Sequence, residues 1–130
     1  MPAIPWFAGK QVLQYPMNDC IFCKIASGEF PAEKVYEDDE MLAFRDINPA
    51  APVHCLLIPK KHIASLLELE AGDIPLAGRL LDKAREIAKG QGCGEKGARF
   101  VINAGKDAGQ TVDHLHIHIL GGRALGWPPG

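Results

Sequence analysis

Three of the chain's five histidines fall within five positions: His114, His116 and His118 alternate with Leu115, Ile117 and Ile119 in the stretch DHLHIHILGG. Imidazole serves as a metal ligand, a proton relay or a nucleophile because its proton is held weakly near neutral pH. Strict alternation with branched apolar residues is the two-residue period of a half-buried strand. Residues two apart on a strand share a face, so the three imidazoles are expected on one face, roughly 6.5–7 Å apart along the chain. Leu115, Ile117 and Ile119 would then turn toward a core. A plain solvent face would more often carry Thr, Lys or Glu. The stretch therefore marks a site, and its spacing alone leaves metal, proton and nucleophile chemistry open.

The loop that feeds it, NAGKDAGQTVDH, suits an anion. Gly105 and Gly109 permit close backbone approach, while Asn103, Gln110 and Thr111 add neutral donors. Backbone N–H groups and neutral donors beside histidines form a cradle for a phosphate of modest charge. A second cluster is CIFC, with Cys20 and Cys23. Such a pair is redox-active, half of a zinc site, or two buried thiols. The redox form should follow a strand in a βαβ unit, and no such pattern precedes Cys20. Tetrahedral zinc needs two more ligands, for which His62 in PKKH and His114 are the best candidates.

Positioning these groups falls to one domain, the natural reading of 130 residues. Hydrophobic content of 47% and charged content of 23% are ordinary for a globular chain. A net charge of −2 gives no basic surface for nucleic acid. No apolar run reaches the length of a membrane span, and the N-terminus lacks the basic-then-apolar pattern of a secretory signal. Cys20, Cys23, Cys55 and Cys93 are therefore expected to be reduced, in a cytoplasmic compartment.

Residues 1–17, with three prolines and no periodicity, read as an irregular arm with Trp6 or Tyr15 as candidate anchors. CIFCKIAS reads as a short helical turn ended by Gly28. KVYED and MLAFRD are strand candidates joined by a turn at Asp38 and Asp39, and INPAAPVH is a proline-set loop before the strand HCLLIP. The clearest helix lies between Asp73 and Gly90, with Ala77, Leu80, Leu81, Ala84, Ile87 and Ala88 as one apolar stripe. Asp73 is its expected N-cap, Pro75 lies in its first turn, and Gly90 or Gly92 follows its end. ARFVIN and HLHIHIL complete the strands. The pattern predicts an α+β fold, an antiparallel sheet with a helix packed on one face.

HLHIHIL fits a His-φ-His-φ-His-φ-φ motif. With its preceding loop, DINPAAPVH, IPKKH and the terminal GGRALGWPPG, the chain resembles the histidine triad (HIT) family in its Hint-type, purine nucleotide-binding branch, over residues 18–130. The resemblance implies a five-stranded antiparallel sheet with one long and one or two short helices, and a homodimer with a continuous ten-stranded sheet. It implies a hydrolase of purine nucleoside 5′-phosphoramidates, notably adenosine 5′-monophosphoramidate, acting through a covalent nucleotidyl-histidine. His116 would be the nucleophile, flanked by His114 and the phosphate-contacting His118, with His54 behind them. Asn103, Gly109 and Thr111 would hold the α-phosphate and leaving group, beside Gln110 and Val112 in the same nucleotide-binding segment. Asp46 would bind the ribose hydroxyls, and Ile21, Phe22, Ile25, Phe44 and Ile47 would line the purine pocket. The implied partners are nucleotides of the AMP or GMP type and a second copy of the chain, with neither nucleic acid nor membrane. Catalysis calls for no cofactor, whereas Cys20, Cys23, His62 and His114 suit a structural zinc.

Two departures matter. Thr111 stands where many relatives have serine, and the cysteine pair occurs in only part of the family, mostly in microbial members. A zinc-bound His114 cannot freely donate to phosphate. Rival readings are a dinucleoside polyphosphate hydrolase of another branch, opposed by the GGR and WPPG segments, and a regulatory or scaffold protein that binds nucleotide with little turnover. Ile117 stands where the nucleotidyl-transferase branch has proline.

Overall fold

The computed structural model describes residues 19–130, so the arm expected over 1–17 lies outside the described residues. Among the described residues two α-helices, α1 (Ile21–Ser27) and α2 (Ile74–Gly90), accompany five strands, β1 (Lys34–Glu37), β2 (Met41–Arg45), β3 (Val53–Pro59), β4 (Ala98–Val101) and β5 (Ile117–Gly121). The strands form one antiparallel sheet in the order β1-β2-β3-β5-β4. The β1–β2 turn closes on Asp38, whose Oδ1 accepts the N–H groups of Glu40 and Met41 at 2.8 and 2.9 Å.

β3 explains why HCLLIP reads as continuously apolar. Cys55 and Leu57 face the α2 side, in a core with Met41, Ala43, Ile117, Ile119 and Leu80. Leu56 and Ile58 face the other side, in a second core with Phe22, Ile25, Leu42 and Phe44. A central strand buried on both faces has no polar face to alternate with. The long helix packs on one face of the sheet as expected, and α1 covers the opposite face.

Within α2 the buried stripe is Leu76, Leu80, Ala84, Ile87 and Ala88. Leu81, placed on that stripe from the sequence, is 59% exposed. It lies seven residues after the exposed Ile74, on the outward face of the helix. Asp73 occupies the N-cap position but makes no side-chain cap bond to α2. Its carboxylate instead accepts the Glu70 N–H at 3.1 Å and pairs with Lys61 Nζ at 2.6 Å. α1 ends as expected, at Gly28 with φ 88°, whose N–H returns to the Ile25 carbonyl.

The last strand is shorter than HLHIHIL. The His114 N–H turns back to the Val112 carbonyl at 2.8 Å, and the Leu115 N–H goes to the Ile63 carbonyl at 2.6 Å. These bonds tie residues 114–115 to the loop after β3, and the β5 ladder starts at Ile117. β4 likewise stops at Val101, before Ile102 and Asn103.

Gly121 pairs with both Val53 and Ala98 and leaves no room for a methyl group: a Cβ there would lie 2.5 Å from Cys93 Sγ. Gly121→Ala should therefore destabilise the fold by about 1–3 kcal/mol through overpacking. Cys93→Ala in the same chain should recover most of that loss in denaturant titrations. Additive losses in the double variant would contradict the contact.

Candidate functional site

Three strands lay one row of side chains across the sheet. Phe44 on β2 pairs with Leu56 on β3, and Leu56 pairs with His118 on β5. α1 lies over this row with Ile21, Phe22 and Ile25, and together they enclose a cavity of about 340 Å³. Asp46, Ile47, Thr111, Val112 and His116 complete the expected lining. Asn103, Gly109 and Gln110 lie outside it. Phe30, Pro31, Ala32, Arg45 and Leu56 also line it, unanticipated from the sequence. Leu56 was readable, since it sits two residues after His54 on the same strand face.

The imidazoles are ordered by their bonds. His116 is 4% exposed, and its Nδ1–H donates to the His114 carbonyl at 2.7 Å. That bond leaves the Nε2 lone pair on a ring that lines the cavity. His54 Nδ1 accepts the Ala50 N–H at 3.0 Å, so the His54 proton sits on Nε2. From there it donates to His118 Nδ1 at 2.9 Å, with Asp46 Oδ2 also 3.4 Å from His54 Nε2. His118 Nδ1 is thus an acceptor, and its own proton lies on Nε2, on a ring that also lines the cavity. Burial, reinforced by the neighbouring His116 and His54, lowers the His118 pKa to about 4. The cavity is therefore lined by two imidazoles of opposite orientation, His116 held through Nδ1 and His118 through an accepting Nδ1 with its proton on Nε2.

His114 departs from the shared face that the alternation suggested. It is fully buried, with Nε2–H donating to the Pro59 carbonyl at 2.8 Å. Its Nδ1 lies 3.3 Å from Cys20 Sγ and 3.5 Å from Cys23 Sγ, while His62 Nδ1 lies 3.2 Å from Cys23 Sγ. Tetrahedral zinc, with bonds of about 2.0–2.3 Å, sets its nitrogen and sulfur ligands roughly 3.3–3.8 Å apart. Two thiols and two imidazoles at these separations fit that ion. Burial and the adjacent Cys20 push the Cys23 thiol up to about 12, so its thiolate calls for a compensating cation. Burial also holds the His114 ring neutral, with its pKa lowered to about 4, as ligation requires.

Asp46, His54 and His118 also converge closely enough to suggest a metal. The bonding argues otherwise. A cation on His54 Nε2 would drive the proton to Nδ1, against the Ala50 N–H that already points there.

Gln110 braces the loop instead of facing a ligand. Its Oε1 accepts the Gly105 N–H, and its Nε2 donates to the carbonyls of Ala64 and Val112. With Gly109 left-handed at φ 82°, this holds Thr111 and Val112 at the cavity wall. The Thr111 hydroxyl and the Asn103 amide have no hydrogen-bond partner among the described residues.

The family described as "Scavenger mRNA decapping enzyme C-term binding" matches residues 19–125. An uncharacterized HIT-like protein of Synechocystis is 56% identical over 113 residues, covering 87% of this chain and 98% of that protein. Protein HitA of Neisseria gonorrhoeae is 55% identical over 105 residues, covering 81% and 97%. The solved HIT family hydrolase from Legionella pneumophila superposes with a TM-score of 0.85 at 50% identity, covering 86% of this chain and all of that one. A histidine triad protein from Clostridium difficile gives a TM-score of 0.80 at 49% identity, covering 83% and 94%.

The neutral His118 makes stability depend on pH. The unfolded chain takes up a proton on this ring near 6.5, whereas the folded chain does so only near 4. Stability contributed here is complete above 6.5, declines as the pH falls toward 4, and declines no further below. His118→Gln should flatten the melting temperature between these limits relative to wild type. An unchanged slope would show that the ring is charged in the fold.

Proposed function

The chain belongs to the histidine triad family, and from that premise we propose that it is a Hint-type hydrolase of purine nucleoside 5′-phosphoramidates, of the adenosine 5′-monophosphoramidase type. The observation that carries this reading is the His116 ring, which lines the cavity and is held through Nδ1 by the His114 carbonyl, leaving Nε2 as its free nitrogen. An uncharged nucleophile approaches an anionic phosphate without repulsion. His116 Nε2 forms a bond to the α-phosphorus, the P–N bond breaks, and the leaving nitrogen takes a proton from solvent water to depart as the amine. Water then breaks the P–Nε2 bond and releases the nucleoside monophosphate. In this reading His118 Nε2–H stabilises charge on the phosphate oxygens and the Thr111 hydroxyl serves the leaving group, both residues lining the same cavity.

The apolar walls from α1 and Phe44 suit a purine, and Asp46 at the same cavity suits the ribose hydroxyls. No metal is assigned to the reaction centre. Structural zinc is assigned to Cys20, Cys23, His62 and His114, whose separations and donor chemistry support it. The unbridged thiols accord with a reducing, cytoplasmic setting. Among the described residues, no helix is long and apolar enough to cross a membrane. β4 lies at an edge of the sheet, with Phe100 45% exposed. Its pairing with the same strand of a second copy would cover that edge and build a ten-stranded sheet.

His116→Ala should lose about 10³-fold or more in phosphoramidate turnover while still folding and binding AMP. Rapid quench of wild type should leave one nucleoside monophosphate on the peptide containing His116. A label on another residue, or near wild-type turnover in the variant, would overturn the assignment. Native mass spectrometry of chelator-free protein should find two chains carrying one zinc each. A monomer would remove the dimer, and metal-free protein with unchanged melting would remove the zinc.

A further inference from the structure

The thiol–imidazole cluster and the nucleotide cavity share two pieces of the molecule. One is His114. Its ring meets Cys20, Cys23 and the Pro59 carbonyl, while its own backbone carbonyl holds the Nδ1–H of His116. The ring is fully buried, with Phe22 and His62 packed edge-on at 6.0 and 5.0 Å between centroids. A shift of that ring has little slack to absorb it and must move the carbonyl that aims His116.

The other piece is α1. Cys20 is its N-cap and Cys23 lies in its first turn, whereas Ile21, Phe22 and Ile25 face the cavity. Seven residues are too few to hold a helix by themselves, so α1 depends on its anchors. At the N-terminal end the anchor is the cluster. Phe22, between the two cysteines, stands perpendicular to His116 at 5.1 Å and against Phe44 at 5.6 Å. One short helix therefore carries half the cluster on one side and a wall of the cavity on the other.

We propose that these two sites are thermodynamically linked through His114 and α1: a zinc-class cation on Cys20, Cys23, His62 and His114 orders the purine wall and the His116 ring, and so tightens nucleotide binding. The inference rests on the zinc and nucleotide readings above and extends them. Cys20, Cys23 and His62 become positioning residues for a nucleophile that none of them touches. Ordering α1 and His114 before the nucleotide arrives removes that cost from nucleotide binding. Linkage is reciprocal, so the nucleotide must tighten the cation by the same factor.

The test uses the full chain with zinc and AMP as probes, at one fixed pH because ligation releases thiol protons. Calorimetry should show AMP binding about tenfold more weakly to chelator-stripped than to zinc-loaded protein, within the ordinary range of coupling between sites. Competition against a chromophoric chelator should show zinc binding about tenfold more tightly when AMP is saturating. In nitrogen-15 spectra, the Nδ1–H signal of His116 should be sharp in loaded protein and broadened or lost in stripped protein. Should stripping unfold the chain, His62→Asn removes the one ligand outside α1 and the histidine segment, and it should weaken AMP binding in the same direction.

Zinc and AMP that each bind, with both ratios within twofold of unity, would overturn the linkage and leave the zinc and nucleotide readings standing. Undiminished AMP affinity in folded His62→Asn that no longer holds zinc would do the same. Failure of zinc to bind at all would overturn both the linkage and the zinc assignment. Linkage without phosphoramidate turnover would count against the hydrolase reading alone.

Discussion

The pairing of β3 with β5 is the constraint on which the rest of the molecule depends. It sets Leu56 opposite His118 and Leu57 opposite Ile117. One residue of slippage would carry His118 into the apolar core and Ile117 into the cavity, because successive side chains alternate between faces. Cys55 and Leu57 of β3 and Ile117 and Ile119 of β5 pack under α2, and that burial holds the register. The chemistry on the other face is thus positioned by residues that never meet a ligand.

From that register the site builds outward by hydrogen bonds that each fix one proton. The Ala50 N–H sets the His54 tautomer, His54 sets that of His118, and the His114 carbonyl sets that of His116. The consequence is an asymmetric pair of imidazoles on one cavity, one held through a donating Nδ1 and the other through an accepting one. Burial keeps His118 from charging, which preserves the distinction between donor and acceptor at neutral pH. Extra positive charge would attract phosphate, but here it would cost the acceptor its lone pair.

The three histidines of the motif have divided roles. His116 and His118 face the cavity, whereas the His114 ring belongs to the thiols and only its backbone belongs to the site. This division follows from the bend at residues 112–114, which takes His114 off the ladder before the strand begins. The bend turns one motif into two centres that share an atom path.

The sequence by itself determined the strands of the sheet, α2 and the identity of the site-bearing residues. Period-two and period-3.6 patterns are local, and HLHIHIL, CIFC and the glycine loop carry their chemistry in residue types close together along the chain. Ten of the thirteen residues expected to hold nucleotide do line the cavity. Tertiary structure decided the rest. That Leu81 faces outward, that α1 covers the second face of the sheet, and that Gln110 spends both ends of its amide on the loop all depend on partners distant in sequence. Alternation predicted one face for all three histidines, since a regular strand offers only two. The backbone of His114 found its partner within the chain's own bend and that of Leu115 found Ile63, not a neighbouring strand, and a hydrogen bond to a remote carbonyl leaves no periodic trace in sequence.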